Sequence, residues 1–121
     1  MVVPIAVACG SETGTEGVDL TGKPFQNLRD EADVTIDSAD NRFTPQYVTV
    51  SVGTTVTFDN VGRNPHNVIS IGDTFSSVDT ADFNPDATAA ITFETVGDFP
   101  YYCTLHGTPT KGMTGAVRVV K

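Results

Sequence analysis

The chain has 121 residues, which is enough for one domain and too few for two ordinary ones, and no window approaches eighteen consecutive apolar residues. Fifteen acidic residues against seven basic ones give a formal net charge of −8, which argues against nucleic-acid binding because phosphate contacts need clustered Lys and Arg. An acidic surface of this kind fits a well-solvated protein or one with a basic partner.

The first nine residues, MVVPIAVAC, form an apolar run that ends in small residues and a cysteine. This run resembles the end of a bacterial lipoprotein signal peptide, in which cleavage precedes a cysteine that then carries lipid. The resemblance implies a residual signal segment over residues 1–9 and a lipid on Cys9, which would hold the domain at a membrane surface without spanning it. An incidental thiol in a terminal segment is the alternative.

Residues 10–31 are predicted to be a flexible linker. Their first part, GSETGTEGVDLTG, is rich in Gly, Thr and acidic residues and has no apolar periodicity. A tether as long as this first part, residues 10–22, would let the domain swing by roughly 20 Å from its anchor. The folded domain is then expected to cover residues 32–121.

Short strands are predicted through the rest of the chain, because apolar and polar residues alternate between turns rich in Gly, Pro, Asn and Asp. They are expected at about 32–37, 47–50, 56–58, 66–70, 89–93, 99–103 and 115–121. The stretch from Ile71 to Asp86 has no clean period and is predicted to be a long irregular connection, with room for one turn of helix. Seven to eight short strands predict an all-β sandwich of two antiparallel sheets.

The segment FPYYCTLHGTPTKGMTG, residues 99–115, collects Cys103, His106 and Met113 in a chain that has only two residues of each of these types. The other histidine, His66, also lies at a predicted strand boundary. A thiolate, two imidazoles and a thioether favour copper in a trigonal plane with a weak axial ligand, whereas zinc prefers four strong ligands. Each residue alone is more often a packed or surface side chain, but their combination predicts a copper site.

Two segments around these residues resemble the signature regions of the cupredoxins, the plastocyanin and azurin family of type 1 blue copper proteins. They are FTPQYVTVSVGTTVTFDNVGRNPHNV and FPYYCTLHGTPTKGMTGAVRVV, and the resemblance covers about 90 residues from Asp33 to Lys121. The shared motifs are an Asn after the first histidine, a Tyr-Cys strand end, Cys-x2-His, and Gly-Met-x-Gly before the last strand. The resemblance implies a Greek-key β-sandwich that holds one copper ion at one end.

Carried over residue by residue, the resemblance implies that His66, Cys103 and His106 are the strong copper ligands and that Met113 is the axial ligand. It also implies that Asn67 donates its backbone amide to the cysteine sulfur and ties the two ligand loops together with its side chain. These roles are expectations from the family and await the geometry of the site.

Two further positions stand out against the family pattern. Tyr102, next to the cysteine, matches a position that offers plant-type plastocyanins a second electron route. Six residues, GTPTKG, separate His106 from Met113, which is two more than is usual in members that have Cys-x2-His. The axial side of the site is therefore where this chain is expected to differ from its relatives.

The predicted function is a single-copper electron carrier that cycles between Cu(II) and Cu(I) and docks transiently with redox proteins at the His106 end. By resemblance, Leu105, Gly107, Pro109 and Pro65 would form the small apolar docking patch. A copper oxidase would need a second copper bound largely by histidines, and both histidines are already committed, so no enzyme is predicted. The alternatives are a copper storage, delivery or sensing protein and a metal-free β-sandwich interaction module.

The lipoprotein-like segment and the cupredoxin resemblance together predict an extracytoplasmic monomer. They favour a bacterial or archaeal lipoprotein-type member, in the periplasm or on the outer face of the cell membrane. Membrane association is expected only through Cys9, and nucleic acid is not expected as a partner.

Overall fold

The computed structural model describes residues 18–121, and this range contains nine β-strands, one short 3₁₀ helix and no α-helix. The strands are β1 Gln26–Asn27, β2 Asp33–Ala39, β3 Arg42–Thr44, β4 Tyr47–Ser51, β5 Thr54–Asn60, β6 Ile69–Ser70, β7 Thr88–Phe93, β8 Gly97–Gly107 and β9 Gly112–Val120, with the 3₁₀ helix at Thr80–Asp82. No helix in this part of the chain is long and apolar enough to cross a membrane.

The strands form two sheets, one with the order β1-β4-β9-β8-β6 and the other with the order β3-β2-β5-β7. Both sheets contribute to one apolar core, which confirms the predicted all-β sandwich. The sheets are mixed rather than purely antiparallel, because the pairs β1–β4, β4–β9 and β2–β5 run parallel. Alternation of apolar and polar residues does not depend on strand direction, so the sequence pattern could not distinguish the two cases.

The core follows the two-residue period of the strands. In β5, Val56 and Phe58 are fully buried and alternate with half-buried neighbours. Tyr101 of β8 lies between the sheets, with its ring edge-on to Phe43 and Phe58 at centroid distances of 4.9 and 5.1 Å. Each such side chain contributes about 1.5–3 kcal/mol on burial, so the sandwich is a stable frame for the loops at its ends.

Part of the predicted linker packs against the sandwich. Within residues 18–31, Leu20 is buried and β1 pairs with β4. The Phe25 ring lies 5.3 Å from that of Tyr47 and 4.0 Å from the guanidinium of Arg118. The apolar residues of this segment are too widely spaced to show a period, which is why composition alone indicated a tether. Residues 10–17, and the segment 1–9 with Cys9, lie outside the described residues, so their roles stay predictions.

The irregular connection between β6 and β7 includes the 3₁₀ helix, in agreement with the predicted loop and its single turn of helix. Val78 forms an isolated bridge with Val68, and Phe83 is fully buried. The connection is therefore anchored at two points, and Phe83 brings its backbone to the end of the sandwich that carries His66.

Candidate metal centre

Three of the predicted ligands converge at one end of the sandwich. The ligand atoms of His66, Cys103 and His106 all lie within 4.8 Å of one another. The Cys103 Sγ is 3.8 Å from the Nδ1 of each histidine. His66 and Cys103 are fully buried, whereas His106 is partly exposed. The structure thus brings together two residues of β8 and a histidine that lies 37 positions before the cysteine.

A bulge between β8 and β9 positions Cys103 and His106. The two strands are paired at Tyr102 with Thr114 and again at Gly107 with Gly112, so four residues of β8 lie opposite a single residue of β9. That single residue is Met113, which is fully buried and belongs to the same core cluster as the cysteine. Bulges of this kind redirect side chains out of the ladder, and here the redirected side chains are candidate ligands.

The long connection between His106 and Met113 is a hairpin whose extra residues lie at its exposed tip. Gly107 and Gly112 pair directly, and the Thr108 amide donates to the Lys111 carbonyl at 2.8 Å. Gly112 has φ +83°, and a Cβ there would meet the His106 carbonyl oxygen at 2.7 Å. The pairing therefore closes before the tip, and the additional length does not separate Met113 from the bulge.

The loop before His66 is held by Asn60, a residue that the sequence analysis missed. The buried Asn60 amide donates to the carbonyls of Phe83 at 2.9 Å and Asn64 at 3.0 Å, and its oxygen accepts from the Gly62 amide at 2.9 Å. The His66 amide also donates to the Phe83 carbonyl, at 3.2 Å. The sequence contained a signal for Asn60, because this polar residue occupies a position of β5 that the alternation of apolar and polar residues assigns to the core.

Asp40, in the turn between β2 and β3, contacts the far side of the His66 ring and was also missed. The Oδ1 of Asp40 is 3.2 Å from the His66 Nε2 and accepts from the amides of Arg63 and Asn64. Desolvation raises the pKa of Asp40, but the hydrogen bonds from His66 and from these amides outweigh it and hold the pKa below its ordinary value. No local pattern marks Asp40, since it lies 26 positions before the histidine.

The tautomer of His66 follows from this contact. Burial lowers the pKa of His66, and the nearby His106 adds to this, although the hydrogen bond with Asp40 opposes it. An ionised carboxylate only accepts hydrogen bonds, so in the neutral ring the contact with Asp40 places the proton on Nε2. The Nδ1 lone pair then faces Cys103.

Asn67 links the two ligand loops. Its oxygen accepts from the Thr104 amide at 2.9 Å, and its amide donates to the hydroxyls of Thr104 and Thr80 at 2.8 and 3.0 Å. The predicted bond from its backbone amide to the cysteine sulfur stays a prediction. Tyr102 is partly exposed beside the cysteine, and its role as an electron route also stays a prediction.

The chemistry of this donor set fits copper. It offers one thiol that binds as a thiolate and two imidazole nitrogens, and the buried Met113 opposite the bulge is a candidate thioether donor. These are soft and borderline ligands. Calcium and magnesium prefer oxygen ligands, and a structural zinc site would need a stronger fourth ligand than a thioether.

Comparison with known proteins also indicates copper binding. Residues 30–120 match the model for copper-binding proteins of the plastocyanin/azurin family. Chloroplastic plastocyanin from Physcomitrium patens is 36% identical over 85 residues, which cover 64% of this chain and 49% of that protein. The chain thus spans about half the length of this curated relative.

Solved structures with the same fold include amicyanin from Paracoccus versutus, with 27% identity and a TM-score of 0.60 over 73% of this chain and 81% of that one. They also include a purple cupredoxin from Nitrosopumilus maritimus, with 28% identity and a TM-score of 0.55 over 73% and 100% of the two chains. The family match, the fold and the donor set agree, and this chain belongs to the plastocyanin/azurin family of copper-binding proteins, the cupredoxins, with one copper ion as its cofactor.

Proposed function

We propose that this protein is a mononuclear type 1 copper electron carrier. His66, Cys103 and His106 are its strong ligands, and Met113 is its weak axial ligand. The observation that carries the proposal is the convergence of one sulfur and two imidazole nitrogens within 4.8 Å, at a buried end of the sandwich. Copper, when bound, supplies a one-electron couple between Cu(II) and Cu(I).

The residues around the site favour rapid electron transfer. His66, Cys103 and Met113 are fully buried, so these three side chains are shielded from water. Asn60 and Asn67 fix the loops that carry the ligands through hydrogen bonds to backbone groups. Donor atoms that are held in place by the protein move little when the charge of the site changes, which keeps the reorganisation energy small.

The proposed route for electrons is the partly exposed edge of His106. Leu105, beside it, is 51% exposed, and Pro65 and Pro109 are exposed in the two ligand loops. These small apolar side chains would form a limited docking patch, which is suited to a transient complex of a monomer with a redox protein. Tyr102 would offer a second route.

We further propose an extracytoplasmic location, in the periplasm or on the outer face of the cell membrane. The support is the lipoprotein-like segment that ends at Cys9. We also propose that the protein is not an enzyme, because both histidines of the chain lie in the copper site and none remains for a second, catalytic copper.

The test is addition of Cu(II) to the purified protein. The proposal predicts one copper per chain, an intense visible band from thiolate-to-copper charge transfer, and reversible reduction by cyclic voltammetry. Cys103→Ser should abolish the band, whereas Cys9→Ser, which removes the other thiol, should leave it unchanged. Tight copper binding without reversible redox would instead indicate a storage, delivery or sensing protein, and survival of the band in Cys103→Ser would refute the ligand assignment.

A further inference from the structure

The two ring nitrogens of His66 face different partners. Nδ1 is 3.8 Å from the Cys103 Sγ, and Nε2 is 3.2 Å from the Oδ1 of Asp40. The His66 side chain is fully buried, whereas the Asp40 side chain is 33% exposed. The carboxylate is therefore the polar group that contacts the ring on the side opposite the metal site.

The Asp40 carboxylate is itself held from a second direction. The Arg63 amide donates to Oδ1 at 3.1 Å and to Oδ2 at 3.2 Å, and the Asn64 amide lies 3.4 Å from Oδ1. These amides belong to the loop that leads into His66. One carboxylate thus binds both the ring and the backbone that leads to it, and rotation of the ring would break its contact with Asp40.

Gly62 makes room for this carboxylate. A Cβ at position 62 would collide with the Oδ1 of Asp40 and would lie 3.0 Å from the Asp40 backbone nitrogen. The Gly62 amide is bound by Asn60, so the backbone there has a fixed place. The close packing of Gly62 against the Asp40 carboxylate is a second observation, independent of the hydrogen bonds, which shows that this carboxylate has a defined position.

We propose that Asp40 is a positioning residue that fixes the tautomer and the donor strength of His66 and thereby sets the redox potential of the copper site. By accepting the Nε2 proton, it leaves the Nδ1 lone pair directed at the metal position. A carboxylate acceptor makes the ring a stronger electron donor than a neutral acceptor would. A stronger donor stabilises Cu(II) more than Cu(I), so Asp40 tightens Cu(II) binding and lowers the reduction potential.

The part of this inference that concerns copper affinity and reduction potential rests on the proposed function. Asp40→Asn keeps the size of the side chain and removes its charge. Asp37→Asn is the control because it removes the same charge three positions earlier in the chain, within β2. Asp40→Asn should weaken Cu(II) binding by about 10–100-fold. If Cu(II) affinity falls about tenfold more than Cu(I) affinity, the potential rises by about 59 mV. Asp37→Asn should leave both values as in the wild type, and equal effects of the two variants would overturn the proposal.

The tautomer of His66 can be tested without copper. Nitrogen-15 NMR of the copper-free protein should show the His66 proton on Nε2, and this preference should be lost in Asp40→Ala. Gly62→Ala keeps every charge but displaces the carboxylate, so it should change the tautomer in the same direction. A folded Gly62→Ala or Asp40→Ala protein with the wild-type tautomer would overturn the proposal. Failure of the wild type to bind copper would refute the proposed function instead, and the tautomer result would still decide the role of Asp40.

Discussion

Asn60 holds the loop before His66, and its replacement by alanine is a test of how the fold maintains the metal site. The side chain is fully buried and makes three hydrogen bonds of 2.9–3.0 Å, all with backbone groups. At about 1 kcal/mol for each bond, Asn60→Ala should lower the free energy of unfolding by about 3 kcal/mol. For a domain of this size, that corresponds to a fall in Tm of about 12–24 °C.

The assay is thermal and urea unfolding of the copper-free protein, followed by circular dichroism. Asn84→Ala is the matched control, because Asn84 is exposed and makes one side-chain bond of 3.3 Å, to the Ala81 carbonyl. This control should change stability by less than about 0.5 kcal/mol. An Asn60→Ala protein within 1 kcal/mol of the wild type would show that the loop is held by other contacts and would refute the reasoning.

Three further predictions address the core, the hairpin and the surface. Tyr101→Phe should be neutral or stabilising by up to about 1 kcal/mol in urea unfolding, since the buried hydroxyl has no hydrogen-bond partner within residues 18–121; a clear loss of stability would reveal a partner. Deletion of Pro109 and Thr110 should leave the visible copper spectrum unchanged, because the tip lies beyond the paired glycines, and a shifted band would contradict this. Arg63 lies in the loop before His66, so Arg63→Glu should slow electron transfer with the anion hexacyanoferrate(III) at low salt more than the control Lys121→Glu. Equal rates in the two variants would exclude electrostatic steering of the anion toward the copper end of the molecule.

The spacing of the ligands in one loop was predictable from the sequence. Cys103 and His106 are three residues apart at the end of an aromatic run, so their proximity is a local property of the chain, although both lie within β8 rather than in a loop after it. His66 could be added because the chain has one other histidine and it lies at a strand boundary. The strands with clear alternation, β2, β4, β5, β7 and β9, were predictable for the same local reason.

The supporting contacts were not predictable, because they join distant parts of the chain. Asp40 reaches His66 across 26 positions and Asn60 reaches Phe83 across 23, and neither pair is marked by a motif. Strands of two or three residues, such as β1 and β3, are too short to show a period. The pairing of Gly107 with Gly112, which places the extra loop residues at the tip, depends on the register of β8 and β9.

The most direct test of the ligand set is X-ray absorption spectroscopy of the copper-loaded protein, in both oxidation states. The proposed ligand set predicts one short copper–sulfur distance and two copper–imidazole distances, with little change between Cu(II) and Cu(I). Loss of the short sulfur distance in Cys103→Ser, and of one imidazole in a His66→Gly variant, would agree with the assignment. A wild-type spectrum without a short copper–sulfur distance would contradict it.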